Sequence, residues 1–343
     1  MSGFHRLVPV FAVVAGLLLL GAAACGDDEP RSLAVLTHDS FDMEEELLAR
    51  FEEEHDVTVT LIEGGDANEI VARAILNAGN PEADLLFGVD NFSYHRALEA
   101  GVFEPYEARR RGELPAEFLE AVGGTLELTP IDYGFVDINV DLEAGLAELP
   151  SRLEDLADPR WRGALVVQDP ATSSPGLQFL ALTVALLGEG GWQEFWAALR
   201  ANGVRVTDGW TAAYYTEFTR NGGESPLVVS YTSSPAAEVF FGELDEPPTR
   251  TLAAWPLLRQ VEAAGVLAGA AEPELAGAFI DFMLSDAFQA QIPGTMFVYP
   301  AIPGTSTPDW WRWAEVGAES AALDASAEEI DRWVREWTEI MRR

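Results

Sequence analysis

Cysteine is all but missing from this 343-residue chain, in which Cys25 is the one instance. A lone thiol can build neither a disulfide framework nor a cysteine-pair metal centre. Lysine is absent altogether, so the 21 basic residues are all arginine, and they face 57 acidic ones for a formal net charge of −36. A surface of that sign repels phosphodiester backbones and anionic lipid, which excludes nucleic acid as a partner and favours encounter with cations. The charge does not locate a site by itself, because much of it lies in runs such as 42–46 and 52–54 that read as helix faces. Histidine is scarce: beyond residue 25 only His38, His55 and His95 remain, too scattered for a metal cluster. There is no Gly-x-Ser-x-Gly elbow, no His-Glu-x-x-His pair and no glycine-rich phosphate loop ending in lysine. Carboxylates are so common that pairs of them say nothing about acid–base chemistry. No catalytic residue, no cofactor and no resident metal are expected.

What is present begins with His5 and Arg6, an apolar run over 7–20, and Gly21-Ala22-Ala23-Ala24-Cys25. The order of positive start, short apolar stretch and small residues reads as a signal peptide over 1–25, too short for a comfortable membrane span. Lipidation is the expected use of Cys25, although Ala22 stands where such sites usually carry leucine. Residues 26–31 form a polar tether, and the mature protein is expected outside the cytoplasm, a monomer lipid-anchored to the cell membrane. Roughly 320 residues then remain, more than one core usually organises and suited to two lobes.

From residue 33 short apolar strands alternate with amphipathic helices: strand 33–37, helix 42–55, strand 57–62, helix 68–77, strand 83–87. Parallel strands joined by helices place ligands at the strands' carboxyl ends, which singles out His38-Asp39-Ser40, Gly64-Gly65-Asp66 and Gly88-Val89-Asp90-Asn91. A second block has strand 165–168, helix 176–187 and strand 227–231, and the extended stretch 129–138 is expected to cross between the lobes. Strand and turn 264–271 and a helix over 273–291, ended by Pro293-Gly294, are assigned to the first lobe. In the tryptophan-rich tail Ile330, Trp333, Trp337 and Ile340 recur at helical spacing, which predicts packing on the second lobe. The expected division is 31–130 with 258–300 for lobe one and 131–257 with 301–343 for lobe two.

The tetrapeptide Thr-Ser-Ser-Pro occurs twice, as Thr172-Ser173-Ser174-Pro175 and Thr232-Ser233-Ser234-Pro235, each after an apolar strand. Proline at a first helical position with serine before it marks a helix start whose N–H groups can receive a polar or anionic ligand group. Ordinary capping explains Ser174 and Ser234 equally well. Around these junctions lie Trp210, Tyr214, Tyr215 and Tyr231, in segments that otherwise read as loops. A flat heteroaromatic cation would gain roughly 0.5–2 kcal/mol per well-placed ring there, with carboxylates such as Asp66 supplying the opposite charge. Helix packing is the alternative for Tyr214 and Tyr215, and that tyrosine pair also keeps a ferric-ion binder open.

Taken together, Thr37-His38-Asp39-Ser40-Phe41, Gly88-Val89-Asp90-Asn91, Asp132-Tyr133-Gly134, Gln168-Asp169-Pro170 with the first Thr-Ser-Ser-Pro, Gly209-Trp210 and Ser230-Tyr231 with the second are specific. Over nearly the whole mature chain they resemble the periplasmic thiamine-binding proteins of ABC importers. The resemblance implies an α/β, type II periplasmic-binding-protein fold, two α/β lobes joined by crossing hinge strands, which closes on thiamine or a thiamine phosphate and delivers it to the importer's permease. Matched motif by motif, Asp66 and Ala67 would contact the ligand from lobe one, and Ser173, Ser174, Trp210, Tyr231, Thr232, Ser233 and Ser234 from lobe two. The resemblance gives Trp210 and Tyr231 stacking roles, Asp66 the aminopyrimidine or the cationic charge, and the hydroxyl side chains the hydroxyl or phosphate end. His38, Asp90, Tyr214 and Phe297 stand beside this set. The family usually carries tyrosine at His38, glycine at Ala67 and tryptophan at Phe297, so a less complete aromatic cage is expected. A ferric-ion or polyamine-type binder on the same fold is the alternative, and a secreted hydrolase using Ser173 or Ser233 a more distant one.

Overall fold

The computed structural model describes residues 31–343 except 253, 315–320, 322, 324 and 343. The expected signal peptide, Cys25 and the tether up to residue 30 lie outside the described residues. No helix among those described is long and apolar enough to cross a membrane.

The consecutive apolar run Leu33-Ala34-Val35-Leu36 drives the first strand, Arg31–Thr37, into the middle of a parallel trio with Val57–Glu63 and Leu85–Asp90. The continuous path of strands is Val57–Glu63, Arg31–Thr37, Leu85–Asp90, Arg259–Leu267, Thr129–Asp141, Leu227–Tyr231, Leu165–Gln168 and Arg205–Thr207. The crossing strand Thr129–Asp141 belongs to both halves. Its residues up to Phe135 pair with the return strand Arg259–Leu267, and those from Val136 onward pair with Leu227–Tyr231. Its thirteen residues are almost all buried, as expected of a strand covered on both faces.

Two large apolar cores follow, with a small third cluster of Val166, Ala213, Tyr214, Phe218 and Val228 packed against Trp210. One contains Leu36, Phe87, Ile131 and Phe279; the other contains Val136, Val167, Trp196 and Trp337. Tyr133 and Tyr231 pack against both. The tail helix Ala327–Arg342 buries Ile330, Trp333 and Trp337 on the second core, where Trp337 meets Trp196 edge to face at 5.5 Å. An amphipathic stripe on an otherwise charged helix has only that surface to hide against.

Three elements differ from the sequence reading. The helix expected over 273–291 is two, Pro273–Met283 and Asp286–Thr295, because Ser285 turns extended and its hydroxyl accepts from the Phe288 N–H at 3.3 Å, capping a new start. Pro293 lies inside the second helix instead of ending it. The return strand begins at Arg259, five residues before the expected 264, since paired backbone tolerates the polar Arg259, Gln260 and Glu262. The segment holding Trp210 is not a loop: Trp210–Ala212 is helical and runs into a π-helical turn, Ala213–Glu217, a form that recurs at functional sites.

Candidate functional site

A cavity of about 540 Å³ opens between the two halves. Its walls come from the ends of strands and the starts of helices, the positions that an open α/β sheet leaves for ligands.

From the first half come His38, Asp66, Ala67 and Glu262. Asp66 caps the helix Ala67–Leu76 and forms a capping box with Glu69, which fixes its carboxylate at the cleft edge. One oxygen accepts from the Ala67 N–H at 2.6 Å and the Ser174 N–H at 3.3 Å, the other from the Trp210 N–H at 2.8 Å. Asp66 therefore bridges the halves. Burial raises its proton affinity, and the Trp210 and Ala67 N–H groups oppose that without cancelling it. Gly209 makes the approach feasible, because a Cβ there would stand 3.0 Å from an Asp66 oxygen.

His38 accepts from the Ser40 N–H through Nδ1 and turns Nε2 to Glu262 at 3.4 Å. Burial alone would lower its proton affinity, but Glu262, with smaller help from Asp66 and Asp39, raises it. Glu262 also faces Asp132 across the strand pair. Like charges so placed repel, and burial together with the Glu262 charge and hydrogen bond lifts the Asp132 carboxyl well above its ordinary range. Gly88, at φ +121°, clears the way, since a Cβ there would lie 3.1 Å from the His38 ring and 2.9 Å from Ile70.

The second half supplies Ser174, Trp210, Tyr214, Tyr231, Ser233 and Ser234. The Trp210 indole stacks on Tyr214 at 5.1 Å and 21°, and its Nε1–H donates to Ser230 Oγ at 2.8 Å, itself 2.8 Å from Ser234 Oγ. Tyr231 meets the indole edge-on, ring centroids 6.4 Å apart and planes at 62°. Gly134 gives Tyr231 its place: a Cβ there would sit 3.0 Å from the ring. Phe297, at φ +55°, also lines the cavity, a left-handed conformation that a bulky residue adopts only at a cost. Its carbonyl accepts from the Ser233 hydroxyl.

Three sequence-derived residues do not line the cavity. Ser173 is buried and caps the helix Ser174–Leu187, accepting from the Gly176 N–H at 3.4 Å. Thr232 is buried, its N–H donating to the Phe135 carbonyl. Asp90 lies beneath the floor, accepting from Ser174 Oγ, with burial pushing it up to about 6. Further bonds tie the halves together there. Asn68 Nδ2 donates to the Pro170 and Ser173 carbonyls at 3.2 Å each, and Gln260 Nε2 to Ser174 Oγ at 2.8 Å.

Sequence reasoning missed Glu262, Glu238 and Phe241, which all line the cavity. The alternation Gln260-Val261-Glu262-Ala263 would have put Gln260 and Glu262 on one strand face. Among the described residues the lining holds five carboxylates, Asp39, Asp42, Asp66, Glu238 and Glu262, with His38 the one basic side chain and no arginine.

The family model for bacterial extracellular solute-binding proteins matches residues 80–316. The chain belongs to that family. Such solute-binding proteins include a thiamine-binding periplasmic protein from Salmonella typhimurium, 31% identical over 95% of this chain and 98% of the relative. One of the same description from Escherichia coli is 30% identical over 91% and 94%. An iron uptake protein from Synechocystis is more distant, 25% identical over 88% and 86%. Among solved structures, a periplasmic thiamin binding protein superposes with a TM-score of 0.79 at 27% identity, over 91% of this chain and 96% of that one. A binding protein from Actinobacillus pleuropneumoniae with fructose-6-phosphate shares the fold, at 0.78 and 18% identity over 92% and 99%. The fold is the type II periplasmic-binding-protein fold expected from the sequence. The thiamine-binding relatives are named as periplasmic binding proteins, and the solute-binding protein described here is extracytoplasmic.

Proposed function

We propose that this protein is the receptor of an ABC importer, that it binds thiamine in the cleft between its lobes, and that it passes the vitamin to the permease. The observation that carries the reading is the pairing of an aromatic wall, Trp210 stacked on Tyr214 with Tyr231 edge-on beside it, with a lining that among the described residues has five carboxylates and no arginine. Thiamine is a flat aminopyrimidine joined to a permanently cationic thiazolium, so it gains from both. A ring gains roughly 0.5–2 kcal/mol by cation–π attraction when desolvated. The cavity volume suits a ligand of that size.

In this reading Trp210 and Tyr231 hold the rings, Glu262 and Asp66 supply negative charge, and Ser174, Ser233 and Ser234 meet the hydroxyethyl end. Ser173, Thr232 and Asp90 support these side chains from behind. Because both lobes line the cleft, ligand contacts are complete only when it is shut. Binding therefore shifts the hinge towards the shape a permease would read. Acylation of Cys25 and a monomeric state belong to the same proposal.

The iron uptake relatives keep ferric ion as the competing ligand, and the tyrosines speak against it. Tyr214 donates its hydroxyl to Glu238 at 2.6 Å. Burial, then the Glu238 charge, pushes that phenol well above its ordinary range, which disfavours the phenolate that ferric ion needs.

Titration calorimetry of the mature protein with thiamine tests the proposal. One-to-one binding that weakens at least tenfold in Trp210→Ala, about 1.4 kcal/mol, is expected. Folded protein that takes up no thiamine, but turns coloured with ferric ion, would overturn it.

A further inference from the structure

We propose that Asp132 is a positioning residue that acts through Glu262: it holds a proton towards the Glu262 carboxylate in the free protein, and a cationic ligand beside Glu262 drives that proton out to solvent. The inference rests on the thiamine reading and deepens it.

Strand register carries it first. Glu262, in the return strand Arg259–Leu267, is paired with Asp90 on one side and with Asp132 of the crossing strand on the other. Directly opposite residues of antiparallel strands share a face, so three carboxyl groups stand in a row across the middle of the sheet. Two of them have partners. Asp90 accepts from the Phe92 and Ser93 N–H groups at 2.9 and 2.8 Å and from the Ser174 hydroxyl, and Glu262 has His38 Nε2 at 3.4 Å. Asp132 is the exception. It is 1% exposed, and its Oδ2 is buried with no donor among the described residues. A buried carboxylate that lacks donors and faces a second carboxylate is a costly arrangement. A proton on Asp132 removes its charge and turns the repulsion into a hydrogen bond to Glu262. Burial, then the Glu262 charge, lifts the Asp132 carboxyl in that direction.

The other groups packed around the pair bring little positive charge. Asp39 and Asp66 add negative charge near His38. The Tyr231 phenol is held neutral by burial and by Glu262, and Tyr299 stands next to Pro300, which pairs with Asp132. Arg259 of the same strand lies over the Phe118, Tyr133 and Phe135 rings. Among the described residues His38 is therefore the one basic side chain at the row.

Glu262 lines the cavity and Asp132 does not, so a thiazolium meets the first and reaches the second only through it. In the free protein the pair carries one negative charge and one proton. In the complex it carries two negative charges against the ligand's positive one. One cation enters, one proton leaves to the buffer, and the net charge of the cleft floor is unchanged. A unit charge about 10 Å away, at an effective dielectric constant of about 20, shifts a proton equilibrium roughly tenfold, and a ligand against Glu262 stands closer than that.

Calorimetry of the mature protein with thiamine, in two buffers of different ionisation enthalpy, counts the protons released. Repeating it from about pH 5.5 to 8 gives the slope of affinity against pH. Release of up to about one proton per thiamine is expected, with binding up to about tenfold tighter per pH unit wherever the free protein still holds the proton. The ligand's own protonation is common to all variants and cancels between them. Asp132→Asn, which keeps a neutral donor towards Glu262, should bind thiamine with that release and that slope gone, whereas a structural defect would weaken binding equally at every pH. Infrared difference spectra of the wild type need no variant, and should show the band of a protonated carboxyl lost when thiamine is added. Thiamine bound with no dependence on buffer and no loss of that band would overturn the inference and leave the receptor standing. Release kept in Asp132→Asn but lost in His38→Gln or Asp90→Asn would move the proton to those groups and overturn the role of Asp132. No binding of thiamine would remove the receptor reading and the inference with it.

Discussion

Replacing Asn68 by alanine tests closure without touching the ligand's surroundings. Asn68 is buried, does not line the cavity, and donates from Nδ2 to the Pro170 and Ser173 carbonyls of the opposite lobe at 3.2 Å each. A hydrogen bond between neutral groups contributes about 0.5–1.5 kcal/mol net, so the two stabilise the shut form by about 2 kcal/mol. In the open form both carbonyls can meet water, so the loss falls on closure. A shift of about 2 kcal/mol is roughly a thirtyfold change in the closed-to-open ratio. How it shows depends on where the unliganded equilibrium lies. If the free protein is mostly open, thiamine binds roughly thirtyfold more weakly. If it is mostly shut, affinity changes less and the free protein expands. Calorimetry and small-angle X-ray scattering on the same samples therefore cover both cases. Wild-type affinity together with a wild-type radius of gyration, free and bound, would refute the assignment of these bonds to closure.

Two further perturbations address stability. Asp90, fully buried and raised from 3.8 to about 6, binds its proton more tightly folded than unfolded. Its contribution is therefore full below the unfolded value and is lost as pH rises through about 6, some 2 kcal/mol between pH 4.5 and 7. Urea titrations at those two pH values should show Asp90→Asn removing that part of the slope; an unchanged slope would contradict the shift. Trp337→Ala empties a fully buried site against Trp196 and should cost about 3–5 kcal/mol by denaturant unfolding, with thiamine affinity of the folded fraction unaltered.

The parts of the fold that the sequence made legible are those where one force dominates. Strands Leu165–Gln168 and Leu227–Tyr231 each open on the apolar run Leu-Val-Val between turn residues, and both begin and end where the pattern says. The tail helix shows its buried stripe as plainly. Strand Arg259–Leu267 begins earlier than its pattern suggests because its first residues are polar, each for its own reason: Arg259 lies over the Phe118 and Tyr133 rings, Gln260 donates to Ser174 Oγ, and Glu262 lines the cavity. The same conflict hid Glu262: a buried carboxylate is a poor guess from propensity, and its partners Asp132 and His38 are distant in sequence. Ser173 and Ser174 are adjacent and chemically alike, yet one caps a helix while the other lines the cavity. Which of two neighbouring serines faces a ligand depends on backbone dihedrals that a repeated tetrapeptide does not encode.

The place of Tyr231 has a mechanical consequence. Its ring lines the cavity and also rests on Gly134, one residue before Phe135, after which the crossing strand exchanges one sheet for the other. A ring that lines the cavity thus lies within a methyl group's reach of the point where the strand changes sheets, like a trigger set beside its own axle. A side chain at position 134 would therefore crowd the cavity ring and the sheet exchange in one stroke.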